Sequence, residues 1–331
     1  MGDEGMGEIL EVQRPHGTNL WRSAQALGIL LTAVLLVGLV IRPNQALPVL
    51  WNVVIPLVPA SLLVSPLIWR NVCPLATLNL WSAGWAGERR QTQRLAAYSS
   101  ALGIFLFYLM VPARRFLFNA DGPALAITIA IVAILALGVG AAFDLKAGFC
   151  NAICPVLPVE RLYGQSPLLN VPNQRCVVCN LCSRACIDVA PDKSIAQRLG
   201  ASRHSLSWLR SPFGAFSAAL PGFVLGYFTV EDVPLAGAAG VYVHVVGWAA
   251  VSYLLALAAA SLLPVRNRQI LRSLAALAAG LYYWFAAPGI AETIGVALAA
   301  APLRVAALTL VLAWWWRAEL GLRRGSAFAR S

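Results

Sequence analysis

The most chemically loaded stretch of the chain is Cys176-Val-Val-Cys179-Asn-Leu-Cys182-Ser-Arg-Ala-Cys186, a C-x2-C-x2-C-x3-C run. Two-residue gaps let the backbone curl so that three thiolates reach three irons of one inorganic core, and this spacing is that of a [4Fe–4S] site. Zinc usually takes paired C-x2-C knuckles a dozen or more residues apart, which three cysteines at consecutive short gaps fit poorly. Six of the seven cysteines lie between positions 150 and 186. In a reducing compartment that density reads as metal binding or redox chemistry, not as a disulfide framework.

Two ligand assignments stand open. The fourth cysteine of such a run, usually followed by proline, tends to serve a different cluster; here Ile187 follows Cys186. Just upstream lies Cys150-Asn-Ala-Ile-Cys154-Pro155. Cys154 is one candidate for the remote fourth thiolate, leaving Cys186 for a second centre with Cys150 and Cys73. In the other assignment Cys186 closes the first cluster, and Cys150 and Cys154 are structural. Seven thiols cannot fill two all-cysteine [4Fe–4S] sites, so a complete second cluster would need another kind of ligand or a partner chain.

What must position these thiols is a membrane bundle. Of the 331 residues 59% are hydrophobic and 12% charged, against roughly 25% charged in soluble domains. A span needs about 20 apolar residues, and eight such runs are expected near 24–41, 47–68, 96–112, 123–143, 212–230, 238–263, 269–287 and 294–316. They are too long and continuous for barrel strands, so helices are expected to satisfy the backbone in lipid. The expected organisation is a cytoplasmic segment 1–23, a four-span half 24–143 with a Cys-Pro elbow at 69–74, a cluster loop 144–211, a second four-span half 212–316 and a basic tail 317–331.

Charge sets the sidedness. The acidic start (Asp3, Glu4, Glu8, Glu11) is not expected to be a cleavable signal. With eight spans, all 25 Lys and Arg except Arg42, Arg114, Arg115 and the intramembrane Arg304 fall on one side. The positive-inside rule makes that side, with both termini and the cluster loop, the cytoplasm of a bacterial inner membrane. The net charge of +11 is thereby a topology signal and not a nucleic-acid footprint. Trp81, Trp85 and the run Trp314–Trp316 are expected as interfacial anchors.

An internal repeat organises the thiols. Trp69-Arg70-Asn71-Val72-Cys73-Pro74-Leu75 follows the second span, and Cys150-Asn151-Ala152-Ile153-Cys154-Pro155-Val156 follows the fourth. Both place Cys-Pro at the same step, with Trp69 where the second copy has Cys150. Proline and the residue before it leave the helical region, so each copy is expected to be an elbow where a helix exits the membrane.

Tandem spans, C-x3-C-P elbows and the cysteine run together resemble the membrane-bound polyferredoxin family, the NapH- and NosR-like ferredoxin-type integral membrane proteins, over roughly residues 47 to 190. The resemblance implies an electron conduit, taking electrons from quinol or an acidic cytoplasmic donor and passing them to membrane or periplasmic redox subunits. Family members typically carry two ferredoxin runs and two intact elbows; this chain has one run and, at position 69, a tryptophan in the first elbow.

The remaining features are weaker. Arg175, Arg184, Lys193, Arg198 and Arg203 around the run are suited to an acidic partner or anionic lipid, or mark topology alone. Arg304, with Glu292 twelve positions before it, is most simply a snorkelling or interface residue, its functional alternatives being contact with a quinone, a lipid headgroup or an acidic partner. His244 reads as a quinone contact or a buried hydrogen bond in preference to a haem ligand, because the other histidines, His16 and His204, are expected on the cytoplasmic side. No P-loop, dinucleotide fingerprint, H-E-x-x-H or G-x-S-x-G is present, so quinol oxidation is the one reaction on an organic molecule left open. The expectation is an all-α polytopic bundle with a ferredoxin-like iron–sulfur loop, functioning in single-electron transfer. An assembly factor or a structural subunit of a larger membrane redox complex would share the same motifs.

Overall fold

Helices account for every regular element that a computed structural model describes, over residues 18–82, 93–142, 149–164, 167–169, 206–263 and 265–328. The long ones are α1 (Thr18–Ile41), α6 (Gln93–Ala113), α7 (Gly122–Ala142), α9 (Pro212–Thr229), α10 (Ala238–Leu262), α11 (Asn267–Thr293) and α12 (Ala300–Phe328). Between α1 and α6 run α2 (Pro43–Val49), α3 (Ile55–Val64), α4 (Pro66–Val72) and α5 (Pro74–Ser82); α8 (Leu157–Tyr163) lies between α7 and α9.

Among the described residues, six stretches are long and apolar enough to cross a bilayer: Asn19–Ile41, Pro43–Val64, Ala101–Phe118, Gly122–Ala142, Leu235–Leu262 and Asn267–Thr293. The chain is a membrane-embedded helical protein. Its apolar side chains face outward in numbers that water would not tolerate; Val243 is 74% exposed, Ile134 67% and Leu255 66%. The other two expected spans are present as helices α9 and α12 but do not reach the same apolar length, because α9 carries Pro212, Pro221 and Tyr227 and α12 carries Arg304 and three tryptophans.

Proline shapes the second crossing. Pro43–Val64 is one path with prolines at 43, 48, 56 and 59, and it passes through a π-turn at Leu50–Val54 where the missing proline N–H groups loosen the ladder. It stops at Ser65, which is extended (φ −164°, ψ 122°) because Pro66 follows. The expected span 47–68 therefore ends at Val64, earlier than expected. The segment after α8 fills the gap, with Leu168 N–H and Leu169 N–H donating to the carbonyls of Leu63 and Val64.

The main core lies where the two membrane halves meet. Leu62 and Leu63 of α3 pack with Phe216 and Phe223 of α9, Leu271 and Ala275 of α11, and Trp314 of α12. A smaller cluster of Leu39, Leu47, Leu50, Phe118 and Leu125 closes the opposite end of the first half. Trp314 is a correction to the sequence reading: it is fully buried and donates its indole N–H to the Tyr163 carbonyl. Trp81 and Trp316, by contrast, are exposed as anchors should be, and Trp85 lies outside the described residues.

Close helix contacts rest on small residues, the usual device where lipid removes the hydrophobic drive for helix association. A Cβ at Gly222 would lie 2.0 Å from the Trp248 carbonyl oxygen, so α9 and α10 touch backbone to backbone there. Gly240 of α10 has nothing within 4 Å of such a Cβ. Gly222→Leu should lower the detergent-solubilised protein's stability by about 1–3 kcal/mol or more, whereas Gly240→Leu should leave its thermal melting unchanged; equal melting of the two variants would contradict this packing.

Candidate functional site

The four cysteines of the run, Cys176, Cys179, Cys182 and Cys186, lie outside the described residues, as do the basic side chains around them and His16 and His204. The other three cysteines are described, and all three line one cavity. The first elbow forms because Cys73 is extended in ψ (122°) before Pro74, separating α4 from α5. The second is a π-turn, Phe149–Ile153, followed by Cys154-Pro155 and α8. The elbows face each other across a cavity of about 40 Å³. Trp69, Cys73 and Asn79 line it from the first copy, and Cys150, Cys154 and Glu160 from the second.

Aligning Cys73 on Cys154 also aligns Trp69 with Cys150 and Asn79 with Glu160. The repeat therefore extends one helical turn further than the Cys-Pro motif, to a position that the sequence reading missed. The signal available was a shared polar residue five positions after the proline in both copies. Asn79 is buried, donates to the Ala136 carbonyl of α7 at 3.0 Å, and has the Cys150 Sγ 4.0 Å from its Oδ1.

An ion pair holds the elbows together. The Arg70 guanidinium donates from Nε to Oε1 of Glu160, with the two side chains 10% and 8% exposed. A charge taken from water costs several kcal/mol unless it is paired and hydrogen-bonded, so each group needs the other where it stands. α8 is also fixed from behind: Tyr163 donates its hydroxyl to the Ala275 carbonyl of α11 at 2.9 Å and accepts from Trp314 on its own carbonyl.

Burial, the largest effect, pushes the Cys154 thiol well above its ordinary range; the neighbouring Cys150 and Cys73 add to this, and a backbone hydrogen bond at Val156 opposes it. Cys154 is thus a neutral thiol in the arrangement shown. A bound metal would withdraw its proton, since a coordinating thiol is deprotonated. Among the described residues no three His, Cys, Asp or Glu side chains are gathered closely enough to hold a metal ion. Cys73, Cys150 and Cys154 as placed do not by themselves fit a second centre; their cavity has room for little beyond a water or a single ion.

Two other sequence candidates resolve into internal contacts. Arg304 donates from Nε to the Trp284 carbonyl at 2.9 Å, with its guanidinium carbon 4.6 Å from the centre of that ring. His244 Nε2 lies 3.0 Å from Thr229 Oγ1, joining α10 to α9.

Compared with known proteins, the chain matches no protein-family model, no curated protein and no solved structure.

Replacing either member of the buried pair removes the opposite charge from its partner, a loss of up to about 3–5 kcal/mol. Glu160→Leu or Arg70→Met alone should lower the melting temperature in detergent, and the double variant should recover most of the loss. A double variant that melts as low as the sum of the singles would show that the pair does not join the elbows.

Proposed function

We propose that the chain is a membrane-bound iron–sulfur protein that passes single electrons, similar in kind to the polyferredoxin family. In this reading Cys176, Cys179 and Cys182 hold a [4Fe–4S] cluster, with the fourth thiolate from Cys154 or Cys186. The observation that carries it is the C-x2-C-x2-C-x3-C run, set in a polytopic helical protein. The described residues lend support from beneath. Two Cys-Pro elbows, far apart in sequence, present thiols to one cavity at the start of α8, the helix that precedes the stretch containing the run in sequence.

The basic side is proposed as cytoplasmic, with α9 and α12 as the fifth and eighth crossings. Arg266, Arg268 and Arg272 at the start of α11, and Arg317 late in α12, then lie on the same face as both elbows, as the positive-inside rule requires. The electron donor is proposed to be a quinol or an acidic cytoplasmic protein, and the acceptor a membrane or periplasmic redox subunit. The cluster, when bound, supplies a one-electron couple. The chain supplies thiolate ligands, an apolar bundle that excludes water beside them, and arginines such as Arg175 and Arg184 that favour the reduced, more negative core.

Iron and acid-labile sulfide, counted on anaerobically purified protein, test this reading. Cys176→Ser, Cys179→Ser and Cys182→Ser should each reduce both to background and bleach the visible absorbance. Of Cys154→Ser and Cys186→Ser, one should do the same and the other should leave most of the iron. Wild-type protein with stoichiometric zinc and no iron would refute the proposal.

A further inference from the structure

A second and larger cavity, about 340 Å³, lies between the two membrane halves. That is within the range of small-molecule sites. Its walls come from α3, α6, α9 and α11, and they are apolar or aromatic along most of its length, with Ile55, Phe107, Phe223 and Ala279 among them. At one end it reaches Pro155 and Val156, the two residues after Cys154, and Val156 also borders the thiol cavity. At the other end it reaches Arg114 and Tyr227. A Cβ at Gly103 would lie 3.2 Å from the Cys154 carbonyl oxygen. Arg114 follows Gly103 by eleven positions, just past the end of α6, so the two ends are about 16 Å apart along the helix at its ordinary rise.

The far end holds polar groups with capacity to spare. Tyr227 is 6% exposed; its buried hydroxyl lies beside the Arg114 guanidinium, and its own proton reaches no acceptor. The Arg114 guanidinium carbon lies 4.5 Å from the Trp51 ring centre and 5.9 Å from that of Tyr227, with Nε donating to Asn119 Oδ1 at 2.6 Å. The adjacent Arg115 is spent on the Tyr227 carbonyl and Asp232. A buried hydroxyl proton left without an acceptor is costly and calls for an explanation. An apolar cavity of this size does not hold water well, and left empty its lining loses dispersion contacts. In a bilayer the apolar molecules at hand are lipids.

We propose that this cavity binds a carbonyl-bearing lipid, whose head oxygen accepts from the Tyr227 hydroxyl and the Arg114 guanidinium and whose apolar part runs along Phe107 and Phe223 towards Val156. A prenylquinone and an ester phospholipid share that chemistry. The site stands apart from the electron-carrier reading, because none of its residues is a cysteine; a quinone in it would end one side chain away from the thiol cavity.

The test is lipid retention by the full-length protein. Native mass spectrometry of protein washed extensively in detergent should show about one lipid per chain, and extraction should identify it as quinone or phospholipid. Either identity supports the proposal. Val224→Phe, which adds bulk at the cavity wall, should abolish retention. Tyr227→Phe should weaken rebinding of the identified lipid in nanodiscs by about tenfold, the weight of one neutral hydrogen bond. The same measurements on Cys176→Ser protein should show retention unchanged, which separates failure of this site from failure of the cluster. Wild-type protein that retains no lipid, or a correctly melting Val224→Phe protein that retains it as well as wild type, would overturn the proposal.

Discussion

Two charges buried against one another, Arg70 on α4 and Glu160 on α8, fix the geometry on which the thiol site depends. A charge taken out of water is costly unless it is paired, and at this depth each supplies the other with an opposite charge. Each sits beside a Cys-Pro elbow, and the elbows belong to different repeats. Pairing the charges therefore holds Cys73 opposite Cys150 and Cys154 across one small cavity. The pair is also directional, since the planar guanidinium donates from Nε to one carboxylate oxygen. α8 cannot rotate away, because Tyr163 is bonded at both its hydroxyl and its carbonyl to the second membrane half.

The second half thereby has a structural task that its lack of motifs conceals. Helices α9, α11 and α12 supply most of the main core, and they grip α8 from the side away from the first elbow. Lipid solvates the outer faces, so stability inside the bundle comes from close contact and satisfied backbone groups. That explains the backbone approach at Gly222, and the way Arg304 satisfies the Trp284 carbonyl. It also leaves room between the halves for the larger cavity, whose two ends join the polar cluster at Arg114 to the wall behind Cys154.

Much of this was legible where the rule is local. Long apolar runs mark α1, α7, α10 and α11, and the rule that a residue before proline leaves the helical region places both elbows; the same rule at Ser65 was overridden by the apolar run, which carried the expected span on to 68. The π-turns at Leu50–Val54 and Arg114–Phe118 were not legible, because they depend on how a proline-loosened helix is packed and not on residue type alone. Nor was the role of Trp314: a tryptophan beside Arg317 reads as an anchor, and only the position of the Tyr163 carbonyl turns it into a buried donor. The repeat was visible in its Cys-Pro core, and its extension to Asn79 and Glu160 was readable but missed; that its copies face each other is a property of tertiary structure. The second half carries no chemical motif, so the Tyr227 hydroxyl stood out only once its surroundings were known.

Electron paramagnetic resonance on dithionite-reduced, anaerobically isolated protein addresses the central claim most directly, because it counts unpaired spins and types the centre that holds them. The account predicts the fast-relaxing rhombic signal of a reduced [4Fe–4S] cluster, integrating to about one spin per chain. A silent spectrum from iron-free, zinc-loaded protein would contradict it.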